Sequence, residues 1–316
     1  MKKLNLFKTL GLTHLSLFCL FFILTGCANQ TAVQQIKTFS DATVLTSSNA
    51  TQIFQLVEEK HHDSEIAEEI LNFTTNGLDE ELLKPYFLET NLQIRLNVLA
   101  GLKEYAANLS TLTGNSPITN LNQDTTSLAS SLTNIDGDLV KKSFFGGVNP
   151  SDLPTSQEID LFATGINALG NWVISHQQAK EAKSAIIAMK PNIDQVCNLF
   201  QADLKILQDR LRDDDNLIYH DDDRYIREHF DYYINHPEDL KSAVNGEATL
   251  FQAIKKDQIL VSGLSSSFSK LAATHDALDQ AFSTNTENVV SLVAEFSSQA
   301  QRINQYYNSL GGQSSK

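Results

Sequence analysis

Apolar residues in this chain recur at intervals of three and four, and little interrupts them. Gly and Pro together occupy 14 and 6 of its 316 positions, so long stretches run without the residues that break a helix. Leu121, Leu128, Leu132, Ile135 and Leu139 lie on one helical face, at steps of 7, 4, 3 and 4. Ser116-Pro117 precedes them as an N-cap with proline at the first helical position. Leu92, Leu99, Leu102, Ala106 and Leu109 predict an earlier helix over 89–113, which Gly114 stops. Two helices joined this closely are expected to pair antiparallel.

The same spacing carries through the rest of the chain. An opening helix is expected over 28–73, with a fray or break at 46–51, where Thr, Ser and Asn crowd together. Asn76-Gly77 ends it. Ser156 caps a helix whose stripe is Ile159, Phe162, Ile166, Leu169 and Val173, with Gly165 and Gly170 permitting close approach of a neighbour. That helix is expected to stop near Pro191. Ile193, Val196, Phe200, Leu204, Leu207 and Leu211 restart the stripe until His236-Pro237. Leu240, Val244, Phe251, Ile254, Val261, Phe268, Leu271, His275, Leu278 and Phe282 form the next one, and a last helix closes at Gly311-Gly312. No run alternates apolar and polar residues between turn signals, as a strand would. The fold class expected is all-α: an elongated antiparallel bundle of six or seven long amphipathic helices, partly coiled-coil-like. It forms a single helical domain over 27–316, with a loop at 143–156 and a flexible tail at 311–316.

The amino end has a different character. Lys2, Lys3 and Lys8 precede an apolar run from Leu10 to Leu24, too short for a membrane span of about 20 residues and the right size for a signal-peptide core. The run ends in Leu24-Thr25-Gly26-Cys27, which resembles the lipobox of bacterial lipoproteins. The resemblance covers 1–28 and implies cleavage between Gly26 and Cys27, removal of 1–26 and attachment of fatty chains such as palmitate to Cys27. Ala28 after that cysteine implies sorting to the outer membrane, facing the periplasm, in a Gram-negative host. In a Gram-positive host the motif implies the outer face of the cytoplasmic membrane. With Cys19 in the signal and Cys27 acylated, Cys197 is left alone. It has no partner for an internal disulfide and sits among apolar residues as a small buried hydrophobe.

Lys and Arg number 24 against 38 Asp and Glu, a net charge of −14. Losing three lysines with 1–26 makes the mature chain −14 − 3 = −17. Such a surface repels phosphate backbones, so no nucleic-acid partner is expected. The chain has no Gly-x-Ser-x-Gly, Gly-x-Gly-x-x-Gly, His-Glu-x-x-His or Cys-x-x-Cys motif. No catalytic residue, metal ligand or cofactor is assigned.

The acidic stretch Asp203 to Asp239 is expected to be a solvated helix face, with Arg224–Glu228 and Asp223–Arg227–Asp231 paired four apart. Consecutive aspartates such as Asp213-Asp214-Asp215 diverge around a helix and do not converge on one ion. His61-His62-Asp63 is expected to be an exposed charged turn, within reach of Glu65. Tyr225, His229, Tyr232 and His236 follow steps of 4, 3 and 4 and form either a packing stripe or a ridge for a partner. Phe144-Phe145 beside Gly146-Gly147 either caps one end of the bundle or presents an apolar tip to a partner or membrane. Residues 95–105, from Arg95 to Tyr105, make the mature region similar to uncharacterised helical lipoproteins of Gram-negative bacteria, which implies a fold and no activity. The expected role is non-enzymatic: a protein anchored through lipid on Cys27 that acts by contact with an envelope protein as tether, spacer or inhibitory partner. A membrane-active helical protein of pore-forming or remodelling type, and a divalent-metal-binding protein using 213–236, are the alternatives.

Overall fold

A computed structural model describes residues 6–76, 85–87, 89–113, 179–282 and 286–311, with the side chains of 6–29 and a few at helix ends left aside. Six α-helices account for nearly all of these, with no strand among the described residues: α1 Leu6–Asn76, α2 Glu89–Leu112, α3 Ala179–Glu228, α4 Phe230–Asn235, α5 Pro237–Leu278 and α6 Glu287–Gly311. A 3-10 turn, Asp279–Phe282, follows α5. At 1.5 Å per residue, α1 is about 105 Å long and α3 about 75 Å, so the bundle is elongated. The helix expected from Pro117, the loop with Phe144 and Phe145, Gly165 and Gly170 lie outside the described residues.

Cross-helix contacts fix the directions. Phe54 meets Phe200 and Ser64 meets Asp214, so α1 and α3 run parallel. Phe200 stacks on Phe268 at 4.8 Å and Tyr219 faces Phe251, so α5 returns antiparallel to α3. Lys270 pairs with Glu295, and Gln299 Nε2 donates to the Gly263 carbonyl, which sets α6 antiparallel to α5. At Gly263 the missing Cβ leaves room for the Ile303 side chain of α6, into which an added Cβ would run. The core joins Phe39, Phe54, Tyr105, Phe200, Phe268 and Phe296, all fully buried, with the expected stripes of α2 and α3.

Three expectations about helix boundaries are corrected. Residues 46–51 do not break α1. Thr46, Ser47, Asn49 and Ala50 are buried, and Asn49 Nδ2 donates to the Ala300 carbonyl of α6 at 3.1 Å. Small side chains here let another backbone approach, and that packing outweighs their weak helix propensity. Pro191 does not interrupt α3. It sits on the exposed side, where water can meet the carbonyl of Ile187 that loses its donor, while Met189 and Ile193 stay buried opposite. The long helix does not reach His236 either: α3 stops at Glu228, and α4 intervenes. The α5 stripe is buried only from Leu260 onward, with Val244 and Phe251 exposed.

Cys197 is a free, fully buried thiol, and burial pushes its pKa up, as expected of an inert core residue.

Candidate contact site at the hairpin tip

The exposed half of α5 belongs to a helical arm. No described side chain from Asp222 to Lys256 is buried. The last turns of α3, the short α4 and the first half of α5 therefore stand out as a hairpin reaching about 30 Å past Asp257. Its turn has a local cause. Proline disfavours helical geometry in the residue before it, and His236 takes φ −132°, ψ 71°, while Pro237 opens α5. His229 leaves helical geometry at φ −105°, ψ 21°, which separates α3 from α4.

These breaks divide the aromatic stripe into two similar pairs. Tyr225 and His229 stack at 4.2 Å, and so do Tyr232 and His236. Each histidine is pinned by its own Nδ1, which donates to the carbonyl four residues back at 2.9 Å and 2.8 Å. The four residues are thus braced in stacks on successive elements, not aligned along one helix.

Hydrophobic side chains at the tip are in solvent: Tyr225 is 38% exposed, Phe230 49%, Tyr232 51% and Ile234 63%. None of the residues of α4 is buried. Scattered exposed apolar residues are ordinary; several of them clustered on one protruding turn are the mark of an interaction surface. Acidic residues surround them. Residues 219–243 hold seven acids, from Asp221 to Asp239, and three bases, Arg224, Arg227 and Lys241. The bases are all engaged within the arm: Arg224 with Glu228 at 3.3 Å, Arg227 with Asp223 at 2.8 Å and Lys241 with Glu238 at 3.8 Å. The expected Arg227–Asp231 continuation is absent among these pairs, because the helix has ended between the two. Tyr232 Oη donates to Asp239 Oδ2 at 2.8 Å, and beside them Tyr233, Ser242 and Ala243 complete a shallow cavity of about 370 Å³.

Within the body, before the arm begins, the acidic stretch departs from a solvated face. Asp203, Asp214 and Asp215 are buried, each with an identifiable neighbour. Asp203 receives Arg95 Nε and Nη2 at 2.7 Å each, with Phe54 and Phe87 against the guanidinium. Asp214 takes Arg210 at 2.9 Å and the Ser64 hydroxyl at 3.3 Å, with His61 at 3.7 Å. His61 is consequently buried and not part of an exposed turn, whereas His62 beside it is exposed. Asp215 lies near Asp257 of α5 and Lys60 of α1. Burial and the Asp257 charge push Asp215 up to about 7, and burial pushes Asp257 up to about 6.

Deeper in the core, Tyr105 Oη and His275 Nε2 share a 2.6 Å hydrogen bond, and burial drives His275 down to about 3, so its ring is neutral. Both residues are fully buried. Among the described residues no three of His, Cys, Asp and Glu are placed to hold a metal ion. Gly26 and Cys27 fall within the α1 backbone. Phe144 and Phe145 lie outside the described residues.

Sequence reasoning missed Phe230 and Ile234, although two large apolar residues beside the proline-marked turn of an acidic stretch were a visible signal. It also missed Arg95 with Asp203, which lie 108 positions apart and carry no local signature.

No family model matches the chain, and neither a curated protein nor a solved structure matches it.

Proposed function

We propose that this protein is a lipid-anchored, non-enzymatic contact protein of the bacterial envelope that engages a protein partner through the tip of its helical arm. The observation carrying this reading is the cluster of Tyr225, Phe230, Tyr232 and Ile234 left in solvent at the end of the hairpin. Among the described residues, Cys27 and the tip lie far apart along the bundle. Because α1 and α3 run parallel and Ser64 lies level with Asp214, the helical rise from Cys27 to the level of Glu228 is about 75 Å. A lipid on Cys27 would hold the tip well clear of the bilayer, within reach of proteins beyond it. Two or three acyl chains suffice for stable attachment, where one does not. No helix among the described residues, with the side chains of 6–29 set aside, is long and apolar enough to cross a membrane.

Two outcomes test it. Cys27→Ala should move the protein from the membrane fraction to the soluble one; retention on membranes after an alkaline wash contradicts lipid anchoring. Phe230→Asp with Ile234→Asp should abolish recovery of the partner with the acylated protein from envelope extracts. Both sites are exposed and in contact with no core residue, so the circular dichroism spectrum should not change. Undiminished recovery would place the contact elsewhere.

A further inference from the structure

We propose that the Tyr232–Tyr233–Asp239 pocket receives an arginine side chain from a basic segment of the partner. This rests on the reading of the tip as a contact site and adds the chemistry it selects.

The pocket combines two aromatic rings and a carboxylate. His236 stacks on the Tyr232 ring at 4.2 Å, with 17° between the planes, and its bond to the Tyr232 carbonyl holds that stack in place. The ring is braced on one side and still half exposed. Tyr233 stands nearly perpendicular to it, at 5.4 Å and 75°. A guanidinium laid against the exposed part of this aromatic pair is held more readily than the compact, strongly hydrated ammonium of lysine. Asp239 supplies the charge. Its Oδ2 accepts from the Tyr232 hydroxyl, which fixes the carboxylate, and it forms no ion pair with a described residue. Oδ1 and the remaining lone pairs of Oδ2 can accept from a guanidinium fork. The depression is shallow and open to solvent, so it suits a side chain laid on the surface and not an enclosed cofactor.

The surroundings favour the same occupant. Within 219–243 the four acids in excess of bases, 7 − 3, give the tip a negative field that draws basic segments in and repels anionic lipid. Phe230 and Ile234 next to the pocket offer apolar contact to the residues flanking the arginine. An acidic, aromatic tip thus fits a basic protein segment better than a bilayer.

The test uses the full chain in detergent and three fluorescent peptides of one leucine-containing sequence, carrying three arginines, three lysines or three glutamines, at physiological salt. Anisotropy should show the arginine peptide binding at least about tenfold tighter than the glutamine peptide and several-fold tighter than the lysine one. Asp239→Asn and Tyr232→Ala should each remove most of that preference for arginine over glutamine. Equal affinity for the arginine and glutamine peptides, or an Asp239→Asn variant that keeps the preference, overturns the proposal. So does binding of the tip to phosphatidylglycerol vesicles that Tyr232→Ala abolishes, which would place it on lipid. The two readings fail separately. If partner recovery is lost in the Phe230/Ile234 variant but untouched by Asp239→Asn, only the arginine pocket is wrong. If the Phe230/Ile234 variant still recovers the partner, the contact reading itself is wrong.

Discussion

Replacing Arg95 with alanine should cost the fold about 3–5 kcal/mol, measured as a shift of the urea midpoint with the slope unchanged. The reason lies in what it leaves behind. Asp203 is almost fully buried and both its oxygens are occupied by Arg95, at 2.7 Å each. Burial raises the carboxyl's pKa and the guanidinium pulls it back. Without the guanidinium the carboxylate has to ionise in an apolar setting or take up a proton, and either is expensive. Phe54 and Phe87 would also lose the cation lying against their rings. A double variant separates the pair's net worth from the cost of orphaning one member. Arg95→Met with Asp203→Leu should recover most of the loss, because an apolar pair of similar size needs no partner. A single variant as stable as the parent would mean that water reaches Asp203.

The second large effect is a pH dependence centred on Asp215. This carboxylate is fully buried and faces Asp257 on α5, Lys60 on α1 and Asp214 beside it on α3, with Gln258 also near. Asp257 in turn faces Lys60 at 3.7 Å, Glu59 and Lys256. Two buried carboxyls share one nearby ammonium, so the cluster favours the protonated form of one of them. An acid raised from 3.8 to about 7 on folding binds more protons folded than unfolded between those values. Its contribution to stability is therefore complete below pH 3.8 and declines as pH rises to about 7. Asp257, raised to about 6, acts in the same direction over a narrower range. His275 acts oppositely: held down near 3, it contributes above its ordinary 6.5, and that contribution is lost as pH falls through the interval.

Asp215→Asn mimics the protonated carboxyl and removes one of these slopes. It should stabilise the protein by about 1–3 kcal/mol at pH 8 and have little effect near pH 4.5. Thermal melts of variant and parent across that range should diverge as pH rises. Parallel curves would show that Asp215 ionises in the fold as it does in water.

The helices themselves were legible in the sequence where a stripe and its stop signals agree. Leu92 to Leu109 with Gly114 placed α2 almost to the residue, and Ile193 to Leu211 identified the buried face of α3. Reading failed where a neighbour decides the outcome. Thr46, Ser47 and Asn49 are poor helix formers in isolation, yet they lie under α6, and packing holds them helical. Asp203, Asp214 and Asp215 look like solvated charge until Arg95, His61 and Lys60 arrive from helices more than a hundred positions away. The tip was half visible. Its tyrosines and histidines stood out by spacing, but their exposure depends on the arm leaving the body, and periodicity alone does not report where a bundle ends.

Site-specific photo-crosslinking in the intact cell envelope tests the contact account most directly. A photoreactive residue in place of Tyr232, on the otherwise unaltered acylated chain, should give one discrete protein adduct that disappears with Phe230→Asp and Ile234→Asp. The same residue in place of Lys37, on the exposed flank of α1, should not yield it. Identical adducts from both positions, or none from Tyr232, would contradict the assignment of the arm's tip as the working surface of this protein.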